Sequence, residues 1–154
     1  AKVAGTERGI TEPQATFSPC YGGPFLTMHP LVYADLLKEK IEKFKVPVFL
    51  VNTGWIGGSP KSGAKRISLK YTRMMITSIL NGMMDEIDYD IDPIFGLNIP
   101  SNVKDIPKQI LNPKLSWENT DEYELEAKKL SKLFKENFSN YGTSVKHLTE
   151  FGPK

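Results

Sequence analysis

The sequence predicts an α/β fold of mixed α and β elements, in which helices alternate with short extended segments. Residues 30–44 and 119–141 place apolar residues at helical spacing. Val48 to Val51 is a continuous apolar run rich in β-branched residues, which is typical of a strand buried on both faces. A helix that leads within a few residues into such a strand is the unit from which α/β folds are assembled.

Length and composition indicate one globular domain or a part of one. The 154 residues carry a formal net charge of +2, which is too small to indicate a nucleic-acid or polybasic membrane partner, so we expect neither. No run approaches the roughly 20 apolar residues of a membrane-spanning helix. Cys20 is the single cysteine, which favours a reducing, cytoplasmic compartment, and we expect its side chain to be buried.

The first 23 residues show no hydrophobic period and are rich in Gly, Thr, Pro and Ser. We therefore expect 1–23 to form a loop and 24–154 to form the α/β body of a single fragment. Within the loop, Gly5 to Gly9 has two glycines that flank a charged pair, a composition that fits a hinge or an ordinary surface turn. Pro24 to Met28 fits a short strand.

The first helix is predicted over Pro30 to Phe44. Proline suits the first helical turn, where its missing N–H does no harm, and His29 is then the residue at which the chain enters the helix. Its apolar residues recur at helical spacing and are expected to face the core: Tyr33, Leu36, Leu37, Ile41 and Phe44.

A glycine-rich loop from Thr53 to Ala64 follows the predicted strand, and a basic cluster follows the loop. The cluster comprises Lys65, Arg66, Lys70 and Arg73. No carboxylate occurs between Glu42 and Asp85. Strand, flexible loop and uncompensated positive charge together describe a place where an anion can lie against backbone.

The loop is not a phosphate-binding P-loop, although Gly58 and Gly63 have the required separation. The next residues are Ala-Lys-Arg, so the lysine and hydroxyl that a P-loop needs are out of register. The cluster can still hold another part of a nucleotide. Arg66 would supply charge or a planar stacking surface, Ile67 an apolar wall and Thr72 a hydroxyl. The alternative is a solvated basic edge that binds nothing.

Beyond the cluster the pattern alternates between short extended and helical segments. Ile67 to Lys70 alternates apolar and polar residues, and a helix is predicted from Thr72 to Asn81, ended by Gly82. Asp85 to Asp92 is expected to be a solvated strand or loop edge. Pro93 to Pro100 fits another short strand.

Two further patterns concern metal binding and helix capping. The run Asp-Tyr-Asp-Ile-Asp resembles the start of an EF-hand loop, but Pro93 and Ile99 stand where calcium binding needs Gly and Glu. The two histidines belong to no Cys/His cluster, so we predict no metal site in this chain. Asn119 begins the longest helix, and Glu122 three residues later completes a capping-box pattern.

Three blocks of sequence resemble ATP-dependent phosphoenolpyruvate carboxykinases. Lys2 to Cys20 is similar to the family's block Ala-Gly-Thr-Glu-X-Gly-X-X-Glu-Pro followed by Phe-Ser-X-Cys. Leu50 to Trp55 (Leu-Val-Asn-Thr-Gly-Trp) and Lys65 to Arg73 (Lys-Arg-Ile-Ser-Leu-Lys-Tyr-Thr-Arg) resemble its second and third blocks. Weaker similarities lie at Phe95 to Pro100 and Ile110 to Pro113. The resemblance covers nearly the whole chain and implies the carboxy-terminal portion of the carboxykinase mononucleotide-binding domain.

The resemblance implies a reaction in which oxaloacetate and ATP give phosphoenolpyruvate, ADP and carbon dioxide, an entry step of gluconeogenesis. In that family the residues that match Arg66, Ile67 and Thr72 bind the adenosine end of ATP. The block around Gly5 to Gly9 is similar to the end of the family's mobile active-site lid, which makes Arg8 a candidate lid residue.

The rest of the family's machinery is absent from this sequence. Its phosphate loop, the ligands of its divalent metal (Mg²⁺ or Mn²⁺) and the arginines that hold oxaloacetate belong to a preceding, N-terminal part of the same enzyme. Phosphoryl transfer depends on positioning and on charge neutralisation by metal and basic side chains, so the isolated chain is expected to be inactive. The alternatives are a non-catalytic nucleotide- or anion-binding module and a purely structural α/β module.

Overall fold

A computed structural model describes residues 8–11, 16–18, 20, 22–58 and 63–154. The chain forms two compact units, Ala1–Val48 and Phe49–Lys154. Helices occur together with small antiparallel sheets, so the predicted mixture of α and β elements is confirmed. The expected boundary between a loop at 1–23 and a body at 24–154 stays a prediction. Gly5, Thr6 and Glu7 of the expected lid segment lie outside the described residues.

Helix α1 spans Pro30–Phe44 in the first unit, with the predicted bounds. His29 caps it, because its Nδ1 accepts a hydrogen bond from the Leu31 N–H at 3.2 Å. The helix ends at Lys45, which adopts the left-handed conformation (φ 52°) and donates its N–H to the Ile41 carbonyl at 2.8 Å. The capping signal at His29 and Pro30 therefore marks the start of this helix, and the left-handed conformation of Lys45 ends it.

Three expectations for the first unit are wrong. The segment expected as a strand contains a 3₁₀ helix, Gly23–Phe25, since Pro24 suits a helical first turn and the Phe25 N–H bonds the Gly22 carbonyl at 2.9 Å. No residue of α1 is buried, because the unit's described residues place no second layer against its apolar face. Cys20 is exposed rather than buried.

The second unit contains two β-hairpins. Strands β1 (Trp55–Ile56) and β2 (Lys65–Arg66) are antiparallel, and Trp55 is directly opposite Arg66. Strands β3 (Tyr89–Ile91) and β4 (Asn98–Pro100) form the other hairpin, with Asp90 opposite Ile99. All three residues of β3 are exposed, which agrees with the solvated strand edge expected for the acidic segment.

The buried strand predicted at Val48 to Val51 does not form among the described residues. These positions have no strand pairing, and the side chains of Val48 and Leu50 are 63% and 80% exposed. A strand requires a neighbour that supplies hydrogen-bond partners, and both described sheets contain only two strands drawn from other segments. Apolar content alone therefore predicted a strand here without identifying its partner.

Helix α2 spans Leu69–Leu80, three residues longer at its start than predicted. Ser68 is its N-cap residue in an extended conformation (φ −66°, ψ 147°), so the expected alternation over Ile67 to Lys70 is interrupted by the helix start. As a result Ile67 is buried while Leu69 is exposed. Gly82 follows the helix at φ 69°, as expected for a C-terminal stop.

The remaining helices follow in order. Helix α3 spans Lys108–Leu111, a 3₁₀ helix spans Pro113–Ser116, helix α4 spans Thr120–Ser139, and a further 3₁₀ helix spans Thr143–Phe151. Asn119 caps α4 as predicted, because its Oδ1 accepts from the N–H groups of Asp121 and Glu122. In the part of the chain that is described, no helix is long and apolar enough to cross a membrane.

The core of the second unit is small and lies under α2. Met84, Val103 and Ile106 are buried at its centre, and partly buried apolar residues surround them, including Phe49, Tyr71, Met74, Met75, Ile79, Ile87, Ile110 and Leu111. The end of the chain is also held in place, since the Lys154 N–H bonds the Ile94 carbonyl at 2.7 Å and its carbonyl accepts from Ser131 at 3.0 Å. These two bonds tie the last residue to the β3–β4 hairpin loop and to α4.

Candidate functional site

The hairpin of β1 and β2 brings an aromatic ring and a cation together. Directly opposite residues of an antiparallel pair have neighbouring side chains on the same face, and Trp55 is opposite Arg66. The central guanidinium carbon of Arg66 lies 5.0 Å from the centroid of the Trp55 ring, within the range of a cation–π interaction. Arg66 also donates from Nη2 to the Thr53 carbonyl at 3.5 Å.

Ile67 joins the hairpin to helix α2. Its N–H bonds the Gly54 carbonyl at 3.0 Å, and its side chain is only 6% exposed. This buried side chain and backbone bond tie the entrance of α2 to the residue that precedes β1. The residue that follows Arg66 is therefore held both by a backbone hydrogen bond to the start of the hairpin and by its buried side chain.

Thr72 lies in the first turns of α2. Its N–H donates to the Ser68 carbonyl at 3.2 Å, and its hydroxyl donates to the same carbonyl at 3.4 Å. The residue is 9% exposed. Since the hydroxyl proton is directed at Ser68, the oxygen's lone pairs are what Thr72 can offer to a ligand.

A hydrogen bond to Ser116 holds the glycine-rich loop in place at the residue that follows β1. The Gly57 N–H donates to the hydroxyl of Ser116 at 3.1 Å, and that hydroxyl donates to the Pro113 carbonyl at 2.6 Å. Gly57 has φ 79°, and a Cβ atom there would lie 3.2 Å from the Ser116 carbonyl oxygen. Glycine is required at this position both by backbone conformation and by the close approach of the 3₁₀ helix.

The basic cluster is electrostatically uncompensated within the described ranges. None of the ion pairs between described residues involves Lys65, Arg66, Lys70 or Arg73. The sequence explains this, because no acidic residue occurs from 43 to 84. Uncompensated positive charge attracts ligands of the opposite sign, and the Arg66 guanidinium can also stack on an aromatic group.

The predicted site residues belong to two different compact units. Arg66 is the last residue of β2, Ile67 follows it, and Thr72 lies in the first turns of α2. Arg8 belongs to the first unit, where it is exposed in a turn that contains Gly9 at φ 87°. Sequence reasoning missed the contact of Trp55 with Arg66. The glycine-rich loop between the segments that form β1 and β2 is a signal for a hairpin. The sequence does not show, however, which residues of the two strands are opposite each other.

The described residues do not form a metal centre. No group of three or more His, Cys, Asp or Glu side chains among them is placed to hold a metal ion. The acidic segment that follows the basic cluster in sequence is Asp85 to Asp92, and two of its carboxylates accept hydrogen bonds from nearby protein groups. Asp92 accepts from the N–H groups of Ile94 and Phe95, and Asp90 accepts from the Ser101 hydroxyl.

Comparison with known proteins places these features in a family. A family model described as phosphoenolpyruvate carboxykinase matches residues 1–109. "Phosphoenolpyruvate carboxykinase (ATP)" from Caldanaerobacter subterraneus subsp. tengcongensis is 52% identical over 154 residues, 100% of this chain and 29% of the relative. The protein of the same name from Alkaliphilus oremlandii is 48% identical with the same coverage. "Phosphoenolpyruvate carboxykinase (ATP) 1" from Moorella thermoacetica is 49% identical over 152 residues, 99% of this chain and 29% of the relative.

These matches extend over both compact units and include the three sequence blocks on which the resemblance was based. The chain spans 29% of the length of these curated relatives. At this level of identity over essentially every residue, the similarity cannot come from a shared nucleotide-binding motif alone. The chain belongs to the phosphoenolpyruvate carboxykinase family.

Proposed function

We propose that the intact protein carrying this chain is an ATP-dependent phosphoenolpyruvate carboxykinase. It would convert oxaloacetate and ATP into phosphoenolpyruvate, ADP and carbon dioxide, as an entry step of gluconeogenesis in the cytoplasm. The observation that carries the proposal is the identity of about one-half to named ATP-dependent carboxykinases along the whole chain. The use of a single cysteine supports the cytoplasmic location.

Within that enzyme, this chain would bind the adenosine end of ATP at the junction of β2 and α2. Arg66 supplies a planar cation that is exposed and has no carboxylate partner among the described residues. A guanidinium can stack on a nucleobase and can also donate hydrogen bonds to it. The junction therefore has the chemistry to recognise a base and its sugar.

Ile67 and Thr72 would complete this part of the site in different ways. Ile67 is buried, so its role is to form the floor of the site and to hold Arg66 in position through the bond to Gly54. Thr72 would accept a hydrogen bond from an amino or hydroxyl group of adenosine, since its own proton is directed at the Ser68 carbonyl.

The triphosphate end would be bound by other parts of the protein. The described residues offer no set of ligands that fits Mg²⁺ or Mn²⁺, so we assign no metal-dependent step to this chain. The divalent metal would neutralise phosphate charge during phosphoryl transfer. Arg8 would belong to a lid over the active site, which its exposed position in a glycine-containing turn allows.

Turnover of the intact protein tests the proposal directly. Purified protein should consume oxaloacetate only when ATP and a divalent metal are present, and phosphoenolpyruvate and ADP should accumulate in equal amounts. Matched reactions without ATP and without metal are the controls. Binding of ATP without any loss of oxaloacetate would contradict the carboxykinase assignment and would favour a non-catalytic nucleotide-binding protein.

A further inference from the structure

The contact between Trp55 and Arg66 assigns a role to a residue that has none in the proposed site. We propose that Trp55 is a positioning residue for the purine end of ATP, acting by holding the Arg66 guanidinium in place. This inference rests on the proposed function. Three observations carry it: the direct cross-strand pairing of the two residues, the 5.0 Å distance between ring centroid and guanidinium carbon, and the uncompensated charge of Arg66.

Whether the group that orients Arg66 is an aromatic ring or a carboxylate decides how much charge and how many N–H donors Arg66 retains for a ligand. A carboxylate would hold the guanidinium equally well, but it would neutralise the charge and occupy two N–H donors. An aromatic ring orients the cation through its electron-rich face and leaves the N–H groups at the guanidinium's edge available. The absence of acidic residues from 43 to 84 means that local sequence offers no competing carboxylate.

The backbone fixes both members of the pair. Trp55 lies on β1 and is partly buried, and Arg66 lies on β2 and is exposed. The Thr53 carbonyl accepts from Nη2 of Arg66 at 3.5 Å, which adds a second contact to the guanidinium. The face of the guanidinium opposite the indole therefore remains available for the ligand. Because the Arg66 side chain is already ordered by these contacts, it loses less conformational entropy when a base stacks on it.

The test compares ATP binding to the intact protein in four forms: unaltered, Trp55→Leu, Arg66→Ala and the double variant. Calorimetric titration with ATP and divalent metal gives the affinities. Trp55→Leu should weaken ATP binding about two- to fivefold, as expected for one partly exposed cation–π contact. Trp55→Phe, which retains an aromatic face, should lose less. In the Arg66→Ala background, Trp55→Leu should cause no further loss, because the residue acts through Arg66.

Two controls separate positioning from damage to the fold. The KM for oxaloacetate should be unchanged in Trp55→Leu, since the effect is confined to the adenosine end. Trp117→Leu removes an indole that contacts Tyr123 (ring centroids 5.8 Å apart) rather than a cation, and it should leave ATP affinity within twofold of the unaltered protein.

The outcomes distinguish the inference from the function on which it rests. If Arg66→Ala weakens ATP binding but Trp55→Leu does not, the positioning role is wrong and the adenosine site stands. Equal losses of ATP affinity on Trp55→Leu with and without Arg66 would also overturn the positioning role. If Arg66→Ala leaves ATP affinity unchanged, the proposed adenosine site itself is wrong.

Discussion

Gly57 and Ser116 are 59 residues apart in sequence and are joined by a 3.1 Å hydrogen bond from the backbone N–H to the serine hydroxyl. The same hydroxyl donates to the Pro113 carbonyl at 2.6 Å, so it is used as acceptor and donor at once. This bond fixes the residue that follows β1 against the 3₁₀ helix Pro113–Ser116. It thereby limits how far the end of β1, and with it Trp55, can move.

Gly57→Ala is expected to destabilise this part of the fold by about 1–3 kcal/mol, because the position has a positive φ. A further cost comes from the new Cβ atom, which would lie 3.2 Å from the Ser116 carbonyl oxygen. Gly96→Ala is the matched control, since Gly96 also has a positive φ (67°) but has no heavy atom within 4 Å of a Cβ. Thermal unfolding and amide exchange of the β1 segment measure the difference. A smaller loss for Gly57→Ala than for Gly96→Ala would contradict the close contact.

Arg66→Ala is expected to weaken ATP binding to the intact protein by ~1.5–3 kcal/mol, the usual loss for hydrogen bonds to a charged group. Arg66→Lys should recover only part of the loss, because an ammonium keeps the charge but lacks the planar surface. Arg73→Ala makes the same chemical change elsewhere in the basic cluster and should have a much smaller effect. Equal losses from the two alanine variants would indicate general electrostatic attraction in place of a specific contact.

Thr72→Val replaces the hydroxyl with a methyl group of similar shape and tests whether the oxygen binds adenosine. The expected loss of ATP affinity is about 0.5–1.5 kcal/mol for one net hydrogen bond. Thr72→Ser keeps the oxygen and should bind ATP more tightly than the valine variant. Isothermal titration at constant metal concentration provides the comparison. Unaltered affinity in Thr72→Val would remove Thr72 from the site.

The ion pair between Lys114 and Glu124 predicts a pH dependence of stability. The hydrogen bond from Lys114 Nζ to Glu124 Oε1, at 2.6 Å, and the positive charge of Lys114 hold the pKa of the Glu124 carboxyl below its usual range. Because the pKa is lower in the folded state, the stabilisation is present above the unfolded-state pKa, near 4.5, and is lost as pH falls through the folded-state pKa. Both side chains are more than one-third exposed, so solvent screens the contribution.

Glu124→Gln should therefore lower the unfolding temperature at neutral pH and have progressively less effect as the pH falls below 4.5. Glu136→Gln is the control, since the Glu136 carboxylate lies 3.8 Å from Lys132 in a more exposed pair. Unfolding curves collected from pH 7 to pH 3 provide the measurement. A difference between Glu124→Gln and the unaltered protein that grows with acidity would show that the sign is wrong.

The purified 154-residue chain is expected to have no carboxykinase activity. Phosphoryl transfer needs a phosphate cradle and a metal site, and the described residues supply neither a metal-binding cluster nor a P-loop in register. Oxaloacetate decarboxylation is followed in parallel with the intact protein as the positive control. Decarboxylation coupled to ATP use by the isolated chain would refute the prediction.

Local sequence signals were reliable where a few neighbouring residues decide the structure. Pro30 and His29 mark the start of α1, Asn119 caps α4, and Gly82 follows the end of α2, all as predicted. Capping and positive φ depend on hydrogen bonds within one helical turn and on the absence of a Cβ atom, so the sequence carries that information directly. The three residues of the proposed adenosine site were chosen by residue type and by family resemblance, and their role stays a prediction.

Predictions failed where the outcome depends on a distant partner. Val48 to Val51 has the composition of a buried strand, but no described segment pairs with it. The apolar face of α1 has correct helical spacing, but none of its residues is buried, and Leu36, Leu37 and Phe44 are exposed. Burial and strand pairing are properties of two surfaces, and a hydrophobic pattern describes only one of them.

The amino-acid sequence by itself determined the family, the start of α1, the cap of α4 and the run of 42 residues without a carboxylate between Glu42 and Asp85. Only the tertiary structure decided that Trp55 faces Arg66 and that Ser116 holds Gly57. The physical reason is register: a shift of one residue in an antiparallel pair moves every side chain to the opposite face. The sequence alone shows that this site is positively charged, whereas the strand pairing decides that Trp55 is the ring in contact with Arg66.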